Sequence, residues 1–592
     1  MVSTDRAGPQ ADAARGRESN LEERLEALRA DVLGADACIP GPFGARRLCY
    51  ADHIASGRPL RSVEDALRDL VLPGYANTHT EDSFTGARTT RIAREAATYL
   101  LRSLHAGDDY AVAFPGTGST GAIKRLQEIL GVAVPSIHRK RLLDALPAVE
   151  RWIVFVGPYE HHSNEVSWRE SLAEVVVIPL DERGGIDLAA LDRIVNDPRF
   201  IRRPKLGSFS AASNVTGVRT DVTAVARILR RGGAKVAFDF AAAAPYLDVD
   251  VHAGSDRQVD AAMLSPHKFL GGPGSPGMLV FHNDLYRLPA PTMAGGGTVA
   301  YVGPDEHTFL ADIGAREDAG TPAIVQRIRA ALAFRVKETI GAEAIEAREQ
   351  AWIDRAFGRL RSMPGVDILG PVDAPRIAVA SFLILDPGGA ADGEPSRTLH
   401  PRFVIRLLSD LFGIQGRAGC SCAGPYGHAL LGIDARAAHA YRDAIAAGFE
   451  GVKPGWSRLS FHWLADRAEV DFLLDAVQFV AEYGHRFVPL YAFDWRSGAW
   501  RWRGGVPGLP DASFEPERTS AASAWDGLTP ADWAALESSK RSCAEDYASA
   551  LEEARDWAAR LSAEAYAHLY TTAGGGRDIP DEVDPELVFF RT

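Results

Sequence analysis

The chain has 592 residues, 46% apolar and 24% charged, which is the composition of a soluble globular protein with material for more than one core. Its formal net charge of −13 argues against a general nucleic-acid-binding surface and against docking on anionic membranes. No apolar run has the length of a membrane span, the N-terminus lacks a secretory apolar core, and the sparse cysteines Cys38, Cys49, Cys420, Cys422 and Cys543 fit a reducing cytoplasm better than a disulfide framework.

In chain order, residues 1–40 read as a tail and a short helix, with Leu21, Leu25, Leu28 and Val32 on one side of LEERLEALRADVLG. Residues 41–85 form an N-terminal segment expected to pack with a smaller domain. From 86 to 330, helical stretches such as TTRIAREAATYLLRSL and DVTAVARILRRGG alternate with the short runs WIVFV, EVVVIPL, KVAFDF and GMLVF. That alternation predicts a large domain built on a mostly parallel sheet covered on both faces. Gly232 and Gly233 mark the end of a helix before KVAFDF.

The region 323–365 is strongly helical and reads as a long connector. A smaller α/β domain, 331–485, carries strands in IAVASFLIL and WSRLSFHWL, and helices in PRFVIRLLSDLFG and EVDFLLDAVQFVAEYG. Residues 486–592 hold Trp495, Trp500, Trp502 and Trp525, a turn-rich GGVPGLPDASFEPE and a helical SCAEDYASALEEARDWAARLSAEAYAHL. They carry no chemical motif and read as a structural appendage or a dimer-covering arm.

Four segments carry chemistry. DAAMLSPHKFLGGPGSPGMLVF sets Lys268 between a strand and a Gly/Pro-rich turn, flanked by Ser265 and His267. A desolvated lysine, or one near other positive charge, has a lowered pKa and can do Schiff-base chemistry. KVAFDFAAAAPY places Asp239 at a strand end, where open α/β sheets bind ligands. An aspartate there can pair with a protonated pyridine nitrogen, although strand-end aspartates are also common helix caps. FPGTGSTGAIKRLQEIL puts Ser119 and Thr120 at a helix N-terminus, an arrangement suited to a phosphate or to simple capping. FVGPYEHHSNEVSW follows a strand with His161 and His162, and an imidazole can offer a flat face to a planar cofactor.

Phosphate turn, histidine, aspartate and lysine occur in that order, each near a strand end. In this the sequence resembles the class V aminotransferases of pyridoxal phosphate (PLP) fold type I, and within them the cysteine desulfurase and selenocysteine lyase branch. The resemblance runs from about Tyr50 to about Gly484. It implies that Lys268 holds PLP as a Schiff base and that Ser265, His267, Ser119 and Thr120 bind its phosphate. It further implies that Asp239 pairs with the pyridinium, that His161 stacks on the ring, and that Asn214 in AASNVTG lies near the phenolic oxygen and the substrate. Thr321 in AGTP is similar to a threonine that reaches a phosphate in the partner subunit, which implies a homodimer with shared active sites. Asn77 and His79 in YANTHTE resemble a substrate-side entry segment.

GRAGCSCAGPYGH is similar to the desulfurase loop in which arginine, glycine and a reactive cysteine follow one another. Cys422 falls on the persulfide-forming position and Arg417 on the preceding arginine. Arg458 in WSRLSFHW resembles the arginine that clamps the substrate carboxylate through paired hydrogen bonds. The alternative for Cys420 and Cys422 is two inert thiols; a CxC with few other cysteines is a poor zinc pattern, and no metal is expected.

Three features depart from the family pattern. Ala242 stands where a glutamine usually hydrogen-bonds the phenolic oxygen, a change that alters Schiff-base electronics. Cys420-Ser421 replaces a histidine pair, and the stretch from Cys422 to Arg458 is longer than in the relatives, beside extra segments near 131–150 and after 485. The expected activity is desulfurase-like: C–S cleavage of L-cysteine through a persulfide on Cys422, releasing alanine to solution and sulfur to an acceptor protein. The alternative is class V aminotransferase, epimerase or lyase chemistry without a catalytic thiol, and a non-catalytic PLP-binding scaffold is the remaining reading.

Overall fold

Short, mostly apolar runs pair into the central sheet. Its strands are β1 (Tyr110–Ala113), β2 (Ile153–Val156), β3 (Glu174–Val177), β4 (Lys205–Ser210), β5 (Lys235–Asp239), β6 (Ala261–Leu264) and β7 (Met278–His282), in the order β1-β7-β6-β5-β4-β2-β3. Strands β3, β2, β4, β5 and β6 pair in parallel, whereas β7 runs antiparallel to both β6 and β1. The mostly parallel sheet expected from the alternation is thus present, with one reversed strand. This computed structural model describes residues 9–386, 397–504, 513–514, 525–526, 542–561 and 579–591. Most of GGVPGLPDASFEPE and the end of the C-terminal helical stretch lie outside the described residues.

Successive side chains of a strand leave on opposite faces. Ile153 and Phe155 of β2 enter the core on one side of the sheet, and Val154 and Val156 enter the core on the other. Helices cover both faces, which is why these strands read as continuous apolar runs. The N-terminal helix α1 (Pro9–Asp31) places Leu25 in the first of these cores, beside α2 (Phe84–Arg102). Helix α3 (Gly118–Ile129) supplies Ile123 and Leu126 to the second. Helix α4 (Val222–Arg231) is capped by Asp221, whose side chain accepts from the Ala224 N–H, and ends at Gly232 and Gly233, the latter at φ +71°. The stretch 131–150, which gave no clear signal, contains a solvent-facing helix at Ser136–Ala145.

The helical region after residue 323 is two helices rather than one. Gly341, at φ +91°, divides α5 (Ile324–Ile340) from α6 (Ala342–Leu360). Beyond α6 a second sheet forms from β8 (Val366–Ile368), β9 (Val379–Ile384), β10 (Arg417–Gly419) and β11 (Trp456–Ser460), all antiparallel, in the order β8-β9-β11-β10. Helices α7 (Pro401–Phe412), α8 (Gly424–Leu430) and α9 (Arg467–Tyr483) follow the strands they accompany. Phe382, Phe403, Leu407, Leu459 and Phe472 meet in a separate core. Cys49–Tyr50 pairs in parallel with Ile414–Gln415, so the N-terminal segment joins this second body.

Part of the C-terminal extension completes that core. Helix α10 (Cys543–Arg560) opens with a Ser542–Glu545 capping box and buries Tyr547, Ala550, Ala554 and Ala558. Tyr547 stacks on Phe472 with ring centroids 4.0 Å apart. Phe590–Arg591 pairs with Thr398–Leu399. No helix among the described residues is long and apolar enough to cross a membrane, and all five cysteines are free thiols.

Candidate active site

The connections that leave the carboxyl ends of β1, β2, β4, β5 and β6 converge on one cleft, where an open α/β sheet binds ligands. Gly118, Ser119 and Thr120 follow β1, His161 and Ser163 follow β2, Asn214 follows β4, Asp239 ends β5, and Ser265, His267 and Lys268 follow β6. They line a cavity of about 200 Å³ together with Ser210, Ala212, Ala241 and Ala242. The structure therefore brings nine sequence-predicted residues together: Ser119, Thr120, His161, Asn214, Asp239, Ser265, His267 and Lys268, with Ala242 at the position of departure.

The N-terminus of α3 forms one end of the cleft. Ser119 N–H donates to Ser265 Oγ at 2.9 Å, and Ser119 Oγ donates to Asp239 Oδ1 at 2.7 Å. The Ser119 hydroxyl thus braces the aspartate, leaving the helix terminus, Ser265 and His267 as the anion-facing groups. Gly118 adopts φ +58°, and a methyl group on it would meet Ser265 Oγ at 3.1 Å and His267 Nε2 at 3.7 Å. A glycine here keeps the cradle open. Oriented N–H groups, a hydroxyl and an imidazole around a small concavity are a donor set for a phosphate.

Asp239 is buried. Its Oδ1 also accepts from the Ala241 N–H at 2.9 Å, while Oδ2 makes no hydrogen bond among the described residues. Burial raises the Asp239 pKa, opposed by its two hydrogen bonds and by Lys268. The Lys268 ammonium has no hydrogen-bond or ion-pair partner among the described residues; desolvation, assisted by Arg458 and Arg417 and opposed by Asp239, brings its pKa down to about 8. A lysine prepared in this way is a nucleophile near neutral pH. Desolvation and the neighbouring Lys268 also lower His161 and His267 to about 4, so both imidazoles are neutral. His161 Nδ1 accepts from the Ser163 N–H at 3.1 Å, which puts its proton on Nε2. An unpartnered lysine, a free carboxylate oxygen, a neutral imidazole and an anion cradle in one cleft fit the amine-reactive aldehyde, pyridine nitrogen, ring and phosphate of PLP.

The second body packs beside the cleft through Asn214 without lining it. Arg458 is 3% exposed and donates from Nη2 to Asp52 Oδ1 at 2.8 Å and from Nη1 to the Asn214 carbonyl at 2.9 Å. Arg417 lies directly opposite Arg458 across the β10–β11 pair, with Nη1 4.0 Å from Asp52 Oδ2. Cys422 is exposed and Cys420 partly buried. The Cys422 loop sits against the rim: Asn214 Nδ2 donates to the Ser421 carbonyl at 2.7 Å, and the His162 N–H donates to the Cys422 carbonyl at 2.8 Å.

Asn77, His79, Thr321, Arg417, Cys422 and Arg458 do not line this cleft, and of these Asn77, His79, Thr321, Arg417 and Cys422 are exposed. Sequence reasoning missed Asp52, whose partner is 406 positions away and leaves no local signal. It also missed Ser163, whose N–H donates to the capping side chain of His161 in the short turn after β2. Glu160 was missed as well: buried beneath the cleft, it accepts from Ser210 and Asn164, and burial pushes its pKa up to about 7.

The sequence profile of aminotransferase class V matches residues 49–473. The chain belongs to the aminotransferase class V family. A probable cysteine desulfurase of Streptomyces coelicolor is 26% identical over 463 residues, covering 77% of this chain and 97% of its own length. One from Halobacterium salinarum is 29% identical over 458 residues, covering 76% and 95%. Among solved structures, a cysteine desulfurase from Thermococcus onnurineus superposes with a TM-score of 0.60 at 23% identity, covering 77% of this chain and 98% of that one. A cysteine desulfurase from Escherichia coli gives a TM-score of 0.58 at 22% identity, covering 77% and 98%. At that identity the likeness is one of fold, the PLP-dependent transferase fold type I. Class V enzymes are PLP-dependent.

Proposed function

We propose that this class V enzyme is a cysteine desulfurase acting through Lys268 and Cys422. PLP, when bound, supplies an electron sink for carbanionic charge on an amino-acid substrate. Lys268 would anchor it, Asp239 would pair with its ring nitrogen, His161 would cover the ring, and the α3 terminus with Ser265 and His267 would take the phosphate. Lys268 Nζ, once released, moves protons at the substrate carbon. Arg458 would hold the substrate carboxylate by exchanging its Asp52 or Asn214 partner for it, with Arg417 beside it.

Cys422 Sγ, as thiolate, attacks the sulfur of L-cysteine. An S–S bond forms, the substrate C–S bond breaks, and the carbon takes a proton to leave as alanine. The enzyme keeps the sulfur as a Cys422 persulfide, which an acceptor protein or an added thiol then discharges. The observation that carries this reading is an exposed thiol on a loop hydrogen-bonded to the rim of the Lys268 cleft. Five free thiols without a disulfide fit a reducing cytoplasm. Thr321, exposed outside its own cleft, fits a homodimer in which it serves the partner's phosphate.

The test is PLP-loaded protein with L-cysteine and dithiothreitol, measuring sulfide and alanine together. Equal yields of both, abolished in Cys422→Ala with the cofactor absorbance unchanged, are expected. A second reading is favoured by Ala242, which leaves one cleft wall without the usual hydrogen-bonding side chain. Under it the enzyme transaminates, epimerises or eliminates from another amino acid, and a panel scored for keto acid, ammonia and chirality separates the two. Full sulfide release by Cys422→Ala sinks the role of the thiol.

A further inference from the structure

The loop that carries Cys422 belongs to the second body but is held by the first. It spans the end of β10 to the start of α8. Two successive non-glycine residues within it, Ser421 at φ +50° and Cys422 at φ +57°, occupy the left-handed region. Side-chain-bearing residues rarely adopt that conformation, and two in a row persist only where neighbours impose it. The Ser421 hydroxyl is buried without a partner, so the loop does not stabilise itself through that side chain.

His162 makes two hydrogen bonds to this turn. Its backbone N–H donates to the Cys422 carbonyl at 2.8 Å, and its Nε2 accepts from the Gly424 N–H at 2.8 Å. The two bonds bracket Ala423, the residue directly after the thiol-bearing one. Accepting at Nε2 requires a neutral ring with its proton on Nδ1; burial and Lys453 lower the His162 pKa and favour that state. Gly424 also fits the contact sterically, since a methyl group there would lie 3.1 Å from His162 Nε2. Asn214 holds the residue before Cys422 through the Ser421 carbonyl.

We propose that His162 is a positioning residue that fixes the Cys422 loop on the rim of the Lys268 cleft. The inference rests on the desulfurase reading for its catalytic consequence, but not for the clamp itself. Placing a nucleophile within reach of its target is worth orders of magnitude in rate, and a displacement of about 1 Å costs on the order of a hundredfold. His161, one residue earlier, faces the cofactor side of the same turn, so one histidine pair sets both the ring and the thiol.

Two variants of the PLP-loaded protein test this. His162→Phe keeps the ring volume and removes the acceptor, whereas His162→Gln offers an acceptor again. Without substrate, hydrogen–deuterium exchange at the Gly424 amide is expected to accelerate about tenfold in His162→Phe and to return close to wild type in His162→Gln. With L-cysteine, kcat for sulfide release is expected to fall about tenfold to a hundredfold in His162→Phe, with KM within about twofold, and to recover in His162→Gln. Wild-type exchange and kcat in His162→Phe overturn the proposal. So do equal losses in both variants accompanied by loss of the cofactor absorbance. If the wild-type protein releases no sulfide, the exchange arm still decides: acceleration reversed by glutamine upholds the clamp while the desulfurase reading fails.

Discussion

Arg458 and Asp52 form a buried ion pair at 2.8 Å that joins the last strand of the small sheet to the N-terminal segment. The pair offsets an unfavourable arrangement, because Arg417 stands opposite Arg458 in the β10–β11 register and like charges in that position repel. Asp52 neutralises the nearer arginine and lies within 4.0 Å of the other.

Removing Asp52 leaves a buried guanidinium without its counter-charge. Asp52→Ala is expected to destabilise the protein by about 3 kcal/mol in denaturant unfolding, because breaking a buried pair costs far more than forming it gains. Asp52→Glu is expected to retain most of the stability. A loss below about 0.5 kcal/mol in Asp52→Ala shows that the pair is solvated in solution and behaves as a surface bridge.

How much of this was legible in the sequence follows from range. Lys268, Asp239, Ser119 and His161 each sit at the end of an apolar run, so the strand pattern alone puts them at one end of the sheet, and the structure has them lining one cleft. Most of the sheet was legible because β2, β5, β6 and β7 are largely buried on both faces and read as apolar runs, whereas β4, KLGSFS, is buried without reading as one. Asp52, by contrast, is defined by a contact to a residue on the other side of the chain, and nothing periodic announces it. The break at Gly341 was hidden because helical periodicity continues on both sides of a single glycine. The reversed direction of β7 was hidden because hydrophobic pattern does not encode strand direction.

Gly118 allows a direct test of the anion cradle. Its φ of +58° and the 3.1 Å approach to Ser265 Oγ both oppose a side chain. Gly118→Ala is expected to cost about 1 kcal/mol of stability from backbone strain. It is also expected to weaken pyridoxal phosphate binding about tenfold, while leaving affinity for the phosphate-free aldehyde pyridoxal nearly unchanged. Equal weakening of both ligands places the phosphate elsewhere.

The C-terminal extension contributes to folding through α10. Tyr547 is 8% exposed and stacks on Phe472, so it behaves as a core residue of the second body despite lying far along the chain. Tyr547→Ala is expected to lower unfolding free energy by about 3 kcal/mol, with KM for substrate unchanged at a temperature where the variant is folded. A loss confined to activity, with unfolding unchanged, assigns α10 to the site instead.

Lys268 provides the pH test. Its pKa is brought down to about 8 by desolvation first, with Arg458 and Arg417 adding and Asp239 opposing. The neutral amine is the nucleophile, so depressing the pKa makes it available at lower pH than an ordinary lysine, whose pKa is about 10.4. Covalent capture of pyridoxal phosphate by cofactor-free protein is therefore expected to accelerate about tenfold per pH unit below 8 and to level off above about 9. Stopped-flow absorbance, normalised to the reaction of pyridoxal phosphate with Nα-acetyl-lysine at each pH, isolates the protein's contribution. Because Asp239 raises the lysine pKa, Asp239→Asn is expected to move the profile to lower pH. Arg458→Gln removes a charge that lowers it and is expected to move the profile to higher pH. A wild-type rate that still climbs steeply between pH 9 and 10, so that the normalised rate stays flat instead of falling, shows that Lys268 is solvated in solution, and that its preparation as a nucleophile does not come from the cleft.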